Sequence, residues 1–173
     1  MHETTRSTHN TGDYAYDAIY IGGIGGGLVA LLFLVLDVVT RGEAFYTPSL
    51  MGSVLFDGVR PDAVMTVNMM AVAKYSAVHF IGFGLLGLVI SILTHQAEIR
   101  ARHPMIVIAV VFVVLEAAFW VGASLAIPGV IGVLGPLAVA AANLLAAVGI
   151  SLFLVFTHRP DLWLRVRRAL RIA

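Results

Sequence analysis

Residues 105–127, MIVIAVVFVVLEAAFWVGASLAI, decide the fold of this chain. The run holds one charged residue, Glu116, and is long enough for a helix to cross a hydrocarbon core of about 30 Å at roughly 1.5 Å per residue. An ionised carboxylate at the centre of a bilayer costs at least ~2.5 kcal/mol, so Glu116 has to be neutral, paired or turned toward protein. We therefore expect other membrane helices to supply it with polar partners.

Composition places the chain among integral membrane proteins. Of its 173 residues, 60% are hydrophobic and 12% are charged, and the mean hydropathy is +0.94. These values lie far from those of soluble globular domains. The chain has no cysteine, which excludes disulfides, thiolate metal ligands and a cysteine nucleophile.

Four apolar stretches predict an all-α, polytopic membrane protein with four transmembrane helices, at residues 18–39, 67–94, 104–127 and 137–157. Polar tails (1–17 and 158–173), outer loops (40–62 and 128–136) and an inner loop (95–103) flank them. In the first outer loop, Thr47-Pro48-Ser49 begins a helix too short to span, which we expect in the outer interface or across the end of the bundle. The short inner loop predicts that the second and third spans are antiparallel neighbours.

The basic residues are unevenly distributed between the two sides of the membrane. Eight lie in the tails and the inner loop, whereas the other side has three, Arg41, Arg60 and Lys74. The positive-inside rule then predicts a multi-pass membrane protein with both termini in the cytoplasm.

The C-terminal tail is predicted to form an amphipathic helix with Trp163 on its apolar side. Such a helix binds anionic lipid head groups or docks on a partner subunit, and the sequence leaves both open. Its polar side carries Arg165, Arg167, Arg168 and Arg171.

Small residues recur at intervals of four in the first and last spans. This spacing favours close helix packing, and a nucleotide-binding role for the glycines is disfavoured because they lie inside an apolar helix with no preceding strand. The residues are Gly22 with Gly26, Gly23 with Gly27, and Ala138, Ala142 and Ala146.

A polar layer is predicted in the outer half of the bundle, formed by Glu116, His79, Asn143 and Lys74. We expect Glu116 to pair with His79, either as a contact between helices or as a proton-exchanging couple. His79 alone also suits ligation of a haem, a chlorophyll-type pigment or a metal. Asp37 is expected to face solvent at the end of the first span.

Histidines at the inner boundary, His95, His103 and His158, have no spacing that ensures convergence, and no metal site is predicted. No nucleophile elbow, phosphate loop, HExxH or paired-carboxylate motif occurs, so we do not expect an enzyme.

The glycine-rich first span, TPSLMGSVLF at 47–56, residues 75–79, Glu116 and AANLL at 141–145 together resemble four-span bacterial inner-membrane proteins that have no assigned function. The layout is also similar to small accessory subunits of bacterial energy-converting complexes. Three features favour a non-catalytic accessory or structural subunit of a larger membrane complex, respiratory or photosynthetic. The chain has no soluble domain to perform chemistry, the small-residue faces of the first and last spans favour helix partners, and both tails are suited to docking. Its partners would be other membrane subunits and the lipid bilayer, and not nucleic acid.

Two alternatives remain open at the level of sequence. One is a small oligomeric proton- or ion-coupled carrier that uses Glu116 and His79. The other is a pigment- or haem-binding membrane subunit with His79 as ligand. No cofactor is assigned.

Overall fold

The computed structural model describes residues 11–96 and 104–158, and within these ranges the chain forms six α-helices and one short 3-10 turn, Pro61–Ala63. Four of the helices are long and apolar enough to cross a membrane, which confirms the predicted all-α fold. Two short helices lie in the outer connections. In chain order the helices are α1 (Thr11–Arg41), α2 (Tyr46–Asp57), α3 (Met69–Gln96), α4 (Pro104–Ala126), α5 (Val130–Leu134) and α6 (Pro136–His158).

The first helix begins earlier than the sequence predicts. Residues 11–17, which we assigned to a polar tail, are helical, and Asp17 among them is buried. The helix can extend this far because residues 13–21 contain neither glycine nor proline. The predicted C-terminal helix with Trp163 and its arginines lies outside the described residues, as do the rest of the N-terminal tail and the inner loop.

The helices are arranged around the bundle in the order α3, α1, α6, α4. Helix α1 packs against both α3 and α6, and α6 packs against α4. Helices α3 and α4, which are consecutive along the chain and which we expect to be antiparallel neighbours, flank each other in this order but meet at only a few residues, so a gap separates them. We refer to the gap between them as the α3–α4 seam.

Glycines bring α1 and α3 into backbone contact. A Cβ atom at Gly22 would lie 2.8 Å from the carbonyl oxygen of Phe83, and one at Gly87 would overlap the carbonyl of Ala18. On the next faces of α1, Gly25 lies against Ile150 of α6, and Gly26 lies against Phe83. Gly22 and Gly87 tolerate no side chain, because a Cβ there would meet backbone atoms, whereas Gly25 and Gly26 face side chains that can shift.

Helix α2 lies across the outer end of the bundle. Its buried residues Leu50 and Met51 form an outer core with Ala123, Ile127 and Val130, and Gly52 contacts the backbone of Ala71 in α3. Of the two courses predicted for this helix, the capping one is observed. A second core, deeper in the membrane, is built from α1, α3, α4 and α6.

Candidate functional site

A cavity of about 500 Å³ occupies the α3–α4 seam. Helices α3 and α4 form its two walls, α1 and α6 form its back, and α2 closes its outer end. Val78, Gly122 and Ala126 line it and are exposed, so the cavity opens sideways from the bundle at membrane depth. Its size is in the range of sites that hold small molecules, which are mostly apolar with a few polar groups.

Polar side chains are few in the cavity, and they lie at similar depths. His79 is ten residues into α3 and Asn143 is seven residues into α6, so both lie roughly 10–15 Å below the outer helix ends at about 1.5 Å per residue. Tyr75, Ser76 and Thr47 also line the cavity. The sequence predicted His79 and Asn143 in one polar layer, and the fold brings both to this cavity.

His79 is bound to the backbone of α1. Its Nε2 lies 3.0 Å from the carbonyl oxygen of Gly26, and because a carbonyl can only accept, Nε2 carries the proton. The ring is flanked by Phe83, with ring centroids 4.8 Å apart, and by Tyr75 at 5.7 Å. Ligation of a haem, pigment or metal at Nε2 would break this hydrogen bond, which leaves Nδ1 as the only unused nitrogen.

Glu116 bonds to two other residues and not to His79, so the expected pair is not formed. Asn143 Nδ2 donates to Glu116 Oε1 at 2.8 Å, and Trp120 Nε1 donates to Oε2 at the same distance. The bond from Asn143 joins α6 to α4, and the bond from Trp120 lies one turn along α4 itself. The carboxylate therefore has polar partners at membrane depth, as its cost in an apolar environment requires.

Comparisons with protein-family models, with curated proteins and with solved structures found no match.

Lys74 does not belong to the polar layer. Its Nζ forms an ion pair of 3.0 Å with Asp57 at the end of α2, and the two side chains are 40% and 35% exposed. The long, flexible stem of lysine reaches the outer boundary from within α3, which places the charge near water. This pair links α2 to α3 on the outside of the bundle.

Asp37 is the residue that sequence reasoning placed wrongly. It is 3% exposed, and its two carboxylate oxygens accept hydrogen bonds from the backbone N–H and the hydroxyl of Thr47, both at 2.7 Å. Two residues in the left-handed region, Gly42 and Phe45, turn the chain so that the start of α2 returns to Asp37. The available signal was a Thr-Pro helix start ten residues after the carboxylate, since helix N-termini favour acidic groups.

The small residues divide between used and unused faces. Ala142 and Ala146 are buried in helix contacts, and Ala138 is half-buried. In contrast with Gly22 and Gly26, a Cβ atom at Gly23 or Gly27 would meet nothing within 4 Å. The predicted packing role of Gly23 and Gly27 is thus not fulfilled by contacts among the described residues.

Metal-ligating side chains do not cluster in residues 11–96 and 104–158, where no group of three His, Asp or Glu is close enough to hold an ion. The three histidines of the inner boundary fall where side chains are not described. A ligand in the cavity would therefore contact aromatic rings and neutral hydrogen-bonding groups.

Proposed function

We propose that this chain is a non-catalytic subunit of a larger membrane complex and that it docks a partner helix on one face of α1. Ile19, Gly23, Gly27 and Leu31 follow one another at intervals of four and define what we call the α1 glycine face. Ile19 and Leu31 are 71% and 54% exposed, and the two glycines between them form a shallow apolar notch. This unused notch is the observation that carries the proposal, because small residues between larger ones are typical of contacts between membrane helices.

The polar residues of the spans support a structural role. Asp37 is bound to Thr47, Glu116 to Asn143 and Trp120, and His79 to Gly26. The bonds of Asp37, Asn143 and His79 each join two helices, and the bond of Trp120 lies within α4. In the described ranges, no nucleophile is activated by a neighbouring base.

We further propose that the complex lies in a bacterial inner membrane, with both termini in the cytoplasm. The distribution of basic residues supports this orientation. The basic C-terminal tail would then bind anionic head groups or a partner subunit on the cytoplasmic side. A respiratory or photosynthetic complex is the proposed setting.

The experiment compares two double variants in native membranes. Gly23→Leu with Gly27→Leu fills the notch, and the chain's own fold should persist because new side chains there meet no atom of the chain. Ala109→Leu with Ala117→Leu adds the same side chain at two exposed positions of α4. After extraction in mild detergent and native electrophoresis, the glycine variant should migrate as the isolated chain and the alanine variant with its partners.

Two results would contradict the proposal. If the wild-type chain migrates alone after mild extraction, it is not part of a larger complex. A glycine variant that keeps every co-migrating subunit would show that the partner docks elsewhere.

The carrier alternative receives less support from this geometry, because Glu116 and His79 have separate partners and form no couple. A carrier would lose pH-dependent flux on Glu116→Gln, whereas a structural subunit would show only altered stability. Haem or pigment binding at His79 would require the bond to Gly26 to break, and an absorption spectrum of protein from native membranes tests that alternative.

A further inference from the structure

Three polar residues that line the cavity of the α3–α4 seam have a side-chain atom for which the described residues supply no hydrogen bond. Among the described residues, no hydrogen bond engages Nδ1 of His79, Oδ1 of Asn143 or the hydroxyl of Tyr75, although all three residues line the cavity. Asn143 is only 5% exposed. A polar atom left unpaired away from water is unfavourable, so a ligand that pairs with these atoms gains binding free energy.

The chemistry of these atoms specifies what a ligand has to offer. Because Nε2 of His79 donates to Gly26, Nδ1 of the neutral ring can only accept. The carbonyl oxygen of Asn143 also only accepts. Two acceptors, one on the α3 wall and one on α6 at the back of the cavity, favour a ligand that donates a hydrogen bond, such as a hydroxyl.

The rest of the cavity describes the body of that ligand. Phe33, Phe83 and Phe119 line it together with Tyr75, so the polar atoms are surrounded by aromatic rings that stack well on another ring. From Tyr75 to Leu86 the wall of α3 extends over eleven residues, or roughly 16 Å at about 1.5 Å per residue. The lateral opening faces the hydrocarbon part of the membrane.

We propose that the seam cavity binds a lipid-soluble molecule with an aromatic hydroxyl head and an apolar tail. The hydroxyl donates to Nδ1 of His79, and the ring stacks among the aromatic side chains. The tail lies along the apolar wall and enters from the bilayer. This site does not depend on the α1 glycine face, because none of the four residues of that face lines the cavity.

The test uses purified full-length chain in nanodiscs of phosphatidylcholine, with empty nanodiscs as background. Binding of tritiated para-dodecylphenol is measured directly, and para-dodecylanisole and hexadecanol are measured as competitors. The anisole has the same ring and tail but cannot donate. We expect the phenol to bind at least about 10-fold more tightly than either competitor, a ratio that corresponds to about 1.4 kcal/mol.

Variants locate the ligand. Gly122→Phe should fill the cavity and lower phenol affinity at least about 10-fold, and it should fold because a Cβ atom there meets nothing within 4 Å and the cavity has room for the ring. Ala109→Phe adds the same ring at an exposed position of α4 outside the cavity and should leave affinity unchanged. His79→Phe should reduce phenol affinity to that of the anisole without changing the anisole's own affinity.

Each opposite result overturns a stated part of the proposal. If the phenol and the anisole bind with equal affinity, the site does not recognise a hydroxyl group. If the phenol and hexadecanol bind with equal affinity, the site does not recognise an aromatic ring. Unchanged phenol binding by Gly122→Phe places any binding outside the seam. If His79→Phe weakens phenol and anisole alike, the imidazole does not accept the hydrogen bond. If Gly23→Leu with Gly27→Leu abolishes complex assembly but leaves phenol binding normal, the cavity site and the proposed function are independent of each other.

Discussion

Asp37 ties α2 to α1 through both oxygens of one carboxylate. The turn that makes this possible includes Phe45 with φ of 66°, a left-handed conformation that is unfavourable for a residue with a side chain. Bonds from the N–H and hydroxyl of Thr47 compensate for that strain. The link between α2 and α1, at the closed outer end of the cavity, therefore runs through one buried acid.

Replacing Asp37 by Ala should lower the free energy of unfolding by about 2 kcal/mol, because it leaves the buried N–H and hydroxyl of Thr47 unpaired. Asp62→Ala is the control, since Asp62 is paired with Arg60 in an exposed ion pair and its loss should cost less than about 1 kcal/mol. The measurement is unfolding in mixed micelles with SDS, followed by circular dichroism. Equal effects of the two substitutions would show that the Thr47 bonds contribute little.

The sequence predicted which polar residues lie at membrane depth but not which of them bond. Depth follows from residue number along a helix, so His79, Asn143 and Glu116 could be assigned to similar levels. Which polar side chains bond to each other depends on how each helix is rotated about its axis. A helix that is apolar on every side has no hydrophobic periodicity that would indicate this rotation. Asp37 was misplaced for a related reason, because nothing local indicates that the next helix folds back over it.

Glycine positions determine how the long helices pack. Helices α3 and α6 pack against two faces of α1. On a third face, the α1 glycine face, a Cβ atom at Gly23 or Gly27 would meet nothing within 4 Å. The segment 22–27 therefore contains glycines with opposite consequences for stability.

Gly87→Ala should destabilise the bundle by about 1–3 kcal/mol, because its methyl group would overlap the carbonyl of Ala18 on α1. Gly23→Ala should be neutral or stabilise by up to about 1 kcal/mol, because the added methyl meets nothing and alanine favours the helix. The same unfolding measurement applies to both. A neutral Gly87→Ala would mean that α1 and α3 are not in backbone contact.

The number of spans was predictable because length and hydropathy alone determine which segments cross a bilayer. Their neighbours were not, because loop length limits only how far consecutive helices can separate. Close approach of α3 to α1 needs glycine on both, and the bond from Asn143 to Glu116 holds α4 against α6. These specific contacts, rather than the short inner loop, place α3 and α4 on opposite sides of a cavity.

At the scale of the whole molecule, the predicted orientation can be tested with single cysteines, since the chain has none of its own. Met65→Cys lies in the first outer connection at a position that is 80% exposed, and Ser7→Cys lies in the N-terminal tail. A membrane-impermeant maleimide applied to intact cells, or to spheroplasts where an outer membrane is present, should label Cys at 65, and should label Cys at 7 only after lysis. The reverse pattern would invert the topology and contradict the positive-inside assignment.

Helix α2, packed across the outer end, blocks the direct route from the aqueous phase into the seam. Exchange of an occupant would therefore proceed along the plane of the membrane and depend on lateral diffusion. Washing with buffer should leave it in place, whereas detergent monomers, which reach the side opening as lipids do, should replace it. Extraction with an amphipathic polymer that retains a disc of native lipid is consequently the preparation in which a resident molecule would survive to be identified.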